Sequence, residues 1–166
     1  MTAKPQPRGM YYEDFEIGME LVTPRRTVTL TDIVNFASIS GDFNAPHCDH
    51  EFCKEQPYGE PIAHGPLVWS MAGGLGYASG ITDGTVVAML GVDDWRVHLP
   101  VKHGDTIHVV QKVTFKRETS KPDMGIVSFD REIRNQRDEV VQSAKATNMF
   151  LRRPAQNGDS MRDWGG

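Results

Sequence analysis

Cysteine is scarce in this chain: two in 166 residues, Cys48 and Cys53. They do not form a Cys-x-x-Cys pair, so neither a disulfide framework nor the spaced thiols of a structural zinc site is expected. No apolar run approaches the roughly 18 residues of a membrane helix. Residues 1–9 are polar, hold two prolines and lack the apolar core of a secretory signal. An excess of one charge is also missing. With 18 basic and 22 acidic residues the formal net charge is -4, which excludes a broad basic footprint for nucleic acid or an anionic membrane. The expected setting is the cytoplasm, with both thiols reduced.

What is present fits one globular domain. The apolar fraction is 39% and the charged fraction 24%, ordinary values for a chain with a real core. The expected boundaries are a flexible segment 1–9, a folded domain 10–152 and a flexible tail 153–166. The tail is rich in turn formers and buries little, Trp164 being its exception.

Two helices and a run of strands can be read from the periodicity. Tyr12 to Gly18 reads as a lead-in with a turn, and Thr27-Val28-Thr29 as a short strand. Ile33, Phe36, Ala37 and Ser40 recur at helical spacing; Thr29 or Thr31 caps the start, Asp32 suits the first turn and Gly41 the stop. Glu51–Glu55 reads as a helical turn and 56–61, with Pro57, Gly59 and Pro61, as loop. The second helix is 66–79, with rows Leu67/Met71/Leu75 and Val68/Ala72 extended by Trp69 and Tyr77, a pattern that predicts burial on nearly every side. Gly73, Gly74 and Gly76 weaken this helix and predict close packing against its backbone. The period then becomes two. Strands are expected at 85–90, 95–99, 106–117, 126–135 and 140–151, separated by turn formers. A long antiparallel sheet with one apolar helix must wrap that helix, an α+β arrangement.

The most informative segment runs from Ser40 to Asp49. It sets Asp42 and His47 five positions apart among turn formers, and Ile62-Ala63-His64-Gly65-Pro66 then opens the apolar helix. An acid, an imidazole and a helix N-terminus are the parts needed to activate a water and hold an oxyanion. The bland reading is that Asp42 and Asn44 form side-chain turns and His47 lies on the surface. His47-Cys48-Asp49-His50, with Cys53, also resembles a metal cluster, but adjacent residues seldom point to one centre, so no metal is expected. Gly73-Gly74-Leu75-Gly76 lies inside a helical pattern and is a poor dinucleotide loop. Ser70 sits in no nucleophile elbow. His64 is read as a histidine that pins its loop rather than a direct acid or base.

The pattern Asp32-Ile33, Phe36-Ala37, Ser40-Gly41-Asp42-x-Asn44-x-x-His47-x-Asp49, then Pro61-Ile62-Ala63-His64-Gly65, resembles the MaoC-like hydratases, among them the (R)-specific enoyl-CoA hydratases. The likeness continues through Trp95, Pro100-Val101, Gly104-Asp105-Thr106 and Asn135-Gln136, covering about residues 11–152. Two departures stand out. The family's proline directly after the asparagine is shifted by one, to Pro46, and Gly73 falls where some members carry a helical serine. The resemblance implies a hotdog fold, a curved antiparallel sheet around one long helix, and a homodimer or higher oligomer. It implies reversible hydration of a 2-enoyl thioester, presented by CoA or acyl carrier protein, with no cofactor beyond the CoA of the substrate. Asp42 and His47 would share the water and Gly65 N–H would hold the enolate oxygen. Asn44 and His64 would orient the loop, and Trp69 and Ser70 would contact substrate. Loop 53–62 and segment 80–86, with Met71 or Trp95 as further walls, would shape the acyl pocket. The alternatives are a hotdog acyl-CoA thioesterase, and a non-catalytic hotdog subunit that completes a partner's site.

Overall fold

The computed structural model describes residues 8–154; most of segments 1–9 and 153–166, including Trp164, lies outside the described residues. Six strands, β1 (Glu20–Val22), β2 (Arg26–Thr27), β3 (Val86–Val97), β4 (Thr106–Glu118), β5 (Met124–Arg134) and β6 (Val140–Leu151), form one antiparallel sheet in the order β1-β4-β5-β6-β3, with β2 also pairing β4. Among the described residues a 3₁₀ helix, Tyr12–Asp14, and four α-helices precede β3: α1 (Leu30–Ser40), α2 (Ala45–Cys48), α3 (His50–Lys54) and α4 (Gly65–Ala78). The sheet lies against α4, as expected of a hotdog fold.

Helix α1 has the ends its sequence predicts. Thr29, not Thr31, is the N-cap: its side chain accepts from Asp32 N–H, and the Asp32 carboxylate accepts from Thr29 N–H. Gly41 stops the helix at φ 76°, a left-handed position that costs a glycine little.

Helix α4 corrects one expectation. Leu67, Val68, Met71, Ala72 and Leu75 are buried against β4 and its neighbours, but Ser70, Gly73, Gly74 and Tyr77 are exposed. A Cβ at Gly73, Gly74 or Gly76 would meet nothing within 4 Å. The two rows face the sheet and Trp69 packs on Trp95, whereas among the described residues nothing closes on the glycines, which do not mark a close contact.

The two strands expected at 85–90 and 95–99 are one strand, β3. Gly91 and Asp93-Asp94 reads as a break, yet the chain absorbs it in bulges, with register shifts at 86/88, 89/91 and 93/96 and Asp94 at φ 53°. Trp95 lies within the last bulge, and its ring sits beside Gly65.

The core has two apolar clusters. One joins Val28, Ile33, Leu67, Val68, Met71 and Leu75 to Val109, Ile133 and Val141 under α4. The other gathers Val113, Val127, Phe129 and Phe150 around Phe15 from the lead-in segment. Phe15 lies 4.6 Å from Phe150 and 5.6 Å from Phe129, centroid to centroid. The described parts of the two end segments are tied down as well. Arg8 pairs with Asp83, and Arg153 with Glu13 and Asp14.

Candidate active site

After Gly41 the chain turns at Asp42, whose Oδ1 accepts from Asn44 Nδ2 at 2.6 Å and from Asn44 N at 3.3 Å. Asn44 then opens the short helix α2. The shifted Pro46 sits in the first turn of that helix, where a missing N–H leaves no intrahelical bond unmade. Its carbonyl accepts from Ile62 N–H at 3.0 Å, and the Cys53 thiol donates to the carbonyls of Ala45 and Pro46. The proline thus ties α2 to the segment leading into α4 and does not disrupt the loop.

His47 Nε2 stands 3.9 Å from Asp42 Oδ2. That is too long for a direct hydrogen bond but suits two groups that bind one water between them. His47 Nδ1 lies 2.7 Å from Ile62 O. A carbonyl only accepts, so Nδ1 carries a proton, and in its neutral form the ring presents a bare Nε2 toward Asp42. The Asn44 backbone N–H, then its side-chain amide, and then His47 and His64 hold the Asp42 carboxyl below the usual carboxylate range. Asp42 is therefore a charged, partly exposed acceptor beside an imidazole nitrogen that can take a proton.

His64 is 1% exposed. Its Nε2–H donates to Asp42 O at 2.9 Å, which pins the loop as the sequence suggests, while Nδ1 is buried with no partner among the described residues. Its ring stacks on His47 at 3.7 Å and 24°, and Phe36 packs on it from α1. Asp42, His47 and His64 also bring potential metal-ligand atoms within 4.8 Å of one another. Stacked imidazoles, however, direct their lone pairs along nearly parallel planes rather than toward one tetrahedral centre. The trio suits proton transfer better than coordination. The other expected metal candidates do not join it. Asp49 caps α3, Cys53 is buried and Cys48 is exposed.

Gly65 is the first residue of α4, so its N–H has no acceptor within the helix. Its carbonyl accepts from Gln142 Nε2 at 2.9 Å, and Gln142 Oε1 accepts from Trp95 Nε1 at 3.1 Å. Trp95 lies beside Gly65, and its ring is 6.4 Å from that of Trp69. The Ser70 hydroxyl donates to Pro66 O within α4 and faces a groove of about 280 Å³ lined by Phe36, Ile39, Leu67, Met71 and Gly74. Neither loop 53–62 nor segment 80–86 lines that groove. The sequence reading missed Gln142 and Ile62 O, whose roles depend on pairing across the fold. It also missed Arg131, whose guanidinium covers Trp69. Arg131 had a signal: it falls on the inward parity of β5, with Phe129 and Ile133.

Residues 14–131 match the profile of the MaoC like domain. Protein MaoC of Klebsiella aerogenes is 43% identical over 115 residues, 69% of this chain and 33% of that protein. The 3-hydroxybutyryl-CoA dehydratase of Methylorubrum extorquens is 38% identical over 61 residues, 37% of this chain and 38% of that protein. The chain therefore spans about a third of the length of the curated relatives it matches. A solved structure named as a monoamine oxidase regulatory protein from Archaeoglobus superposes with a TM-score of 0.77 at 36% identity, over 88% of this chain and 97% of that one. The unliganded R-hydratase PhaJ1 from Pseudomonas aeruginosa superposes with a TM-score of 0.71 at 26% identity, over 87% of each chain. The matched segment takes in both the Asp42–His47 loop and the start of α4, and the chain belongs to the MaoC-like dehydratase family.

Proposed function

We propose that the chain adds water reversibly across the C2–C3 double bond of 2-enoyl-CoA thioesters. The observation that carries this reading is the 3.9 Å gap between His47 Nε2 and Asp42 Oδ2, one water wide, beside the first N–H of α4. The names of the relatives, a CoA dehydratase and an R-hydratase, support it.

The water donates to Asp42 Oδ2 and to His47 Nε2. As its oxygen bonds to C3, one proton passes to Nε2 and the electron pair of the double bond moves toward the thioester oxygen. Gly65 N–H, at the positive end of the α4 dipole, holds that oxyanion. C2 then takes that proton from His47 Nε2 on the same face, as the oxyanion pair returns to re-form the carbonyl, which restores Asp42 and His47 to their starting state and leaves a 3-hydroxyacyl thioester. The two arms of the substrate leave the carbonyl in different directions. One follows the groove between α1 and α4, and the other lies against Trp95 and Trp69.

Replacing Asp42 by Asn keeps the shape and removes the charge. Asp42→Asn is expected to lower kcat/KM for crotonyl-CoA by roughly 10² to 10⁴, read as loss of conjugated absorbance. A variant as fast as wild type sinks the proposal, and release of free CoA in step with turnover replaces it with a thioesterase.

The working unit is proposed to be a homodimer closed along β3. This strand ends the sheet, is 12 residues long and exposes Val87, Met89, Leu90 and Val97, at 44%, 61%, 47% and 57%. Such an edge is a template for pairing with another strand. Light scattering on the purified chain should give twice the mass of one chain; a monomer at micromolar concentration overturns the dimer.

A further inference from the structure

One row on the inward face of the sheet is not apolar. In β4, Gln111 lies between the buried Val109 and Val113; in β5, Arg131 lies between Phe129 and Ile133. The register sets Gln111 against Arg131 and Arg131 against Ala144. Arg131 Nε and Nη2 both donate to Gln111 Oε1, at 3.1 and 2.9 Å, and the guanidinium lies 5.3 Å from the Trp69 ring centroid. Among the described residues no carboxylate pairs with it. Burial pushes Arg131 down to about 10.

A neutral amide and an indole are weak compensation for a half-buried charge that is largely withdrawn from water. The fold does not need the charge, since a Met or Leu would fill the row between the two apolar clusters. What an arginine recognises best is a carboxylate, through two parallel N–H donors; Gln111 Oε1 takes the Nε/Nη2 edge of Arg131, and the Nη1/Nη2 edge remains for it. The row also leads back to the site. Beyond the small Ala144 lies Trp95, within the β3 bulge and beside Gly65, and its ring is 6.4 Å from that of Trp69, which carries Arg131 on its ring. The two indoles therefore stand in series between Gly65 and the guanidinium, apolar faces that suit a short carbon chain with a charged end.

We propose that Arg131 receives a second carboxylate at the far end of the acyl chain, so that the preferred substrates are 2-enoyl thioesters of dicarboxylic acids. This deepens the hydration reading and rests on it. Arg131 touches the tail of the substrate, not the reacting atoms, and acts on which thioester is chosen.

The test compares kcat/KM for trans-oct-2-enedioyl-CoA and trans-oct-2-enoyl-CoA, and for the matching six-carbon pair, in wild type, Arg131→Met and Arg131→Lys. Wild type should favour the dicarboxylic member of each pair. Arg131→Met should lower the dicarboxylic-to-monocarboxylic ratio by roughly 10- to 100-fold, the usual worth of hydrogen bonds to a charged group. Arg131→Lys, which keeps the charge without the fork, should fall between. A purely structural arginine would lower the melting temperature and both rates together and leave the ratio alone, which overturns the inference. A wild type that prefers the monocarboxylic member also overturns it while leaving hydration standing. If Arg131→Met does not fold, the wild-type and Lys ratios decide. Hydration of neither class by wild type removes the parent reading itself.

Discussion

Asp42, Asn44 and His47 are placed by bonds made within segment 41–49 or to residues 62–64. Gly65 and the indoles beside it are placed from much further away. Gln142, 77 residues on, holds the Gly65 carbonyl, and the same side chain holds Trp95. The loop part offers ionisable side chains, whereas the helix part offers a backbone N–H whose charge never changes. One part of the site should therefore answer to pH and the other to geometry alone.

The sharpest way to break that contrast is to delete the backbone donor. Gly65 has an unstrained φ, and His64 before it has ψ 138°, the extended value that a following proline requires. Gly65→Pro therefore removes the N–H at a position where helices accept proline. It should lower kcat/KM by roughly 10² to 10³ and leave the shape of the pH profile unchanged. Circular dichroism checks that the helices persist. Gly65→Ala is the control: its Cβ would lie 3.5 Å from Trp95 and Val97, an ordinary contact, and the N–H survives. A Gly65→Pro variant as fast as Gly65→Ala would mean that the oxyanion is held elsewhere.

The same contrast governs how much could be read from sequence. The loop part was legible because turn chemistry is local: Gly41 stops a helix, Asp42 and Asn44 fold onto each other, and His47 follows one short turn later. Helix α1 with its Thr29–Asp32 cap was legible for the same reason. The long strands β4, β5 and β6 showed in their alternation. What failed was whatever depends on pairing. The break expected between the strands 85–90 and 95–99 is a set of bulges, because β6 continues alongside it. The glycines of α4 read as a close contact, but among the described residues a Cβ at any of them would meet nothing within 4 Å. Gln142 and Arg131 look like ordinary polar strand residues until the register sets one beneath Gly65 and the other beneath Trp69.

The smaller test acts on the loop part. Asn44→Ala removes the 2.6 Å bond from Nδ2 to Asp42 Oδ1 and leaves the backbone N–H in place. A bond to the charged form lowers a carboxyl pKa, so losing the amide must raise that of Asp42. The acid limb of kcat/KM against pH should then move to higher pH, by less than the full depression because the backbone bond, the larger cause, remains. The sign for stability is the same. A carboxylate held low in the fold contributes stability above its unfolded pKa of about 3.9, and loses it as pH falls through the folded value. The variant should therefore lose stability at neutral pH and less of it on acidification. Its rate on the plateau should stay within a few-fold of wild type, since the charge and the His47 nitrogen are both still present. A plateau that collapses with the limb unmoved would show that Asn44 places the loop and does not tune the acid, and the division between a titrating part and a fixed part would have to be redrawn.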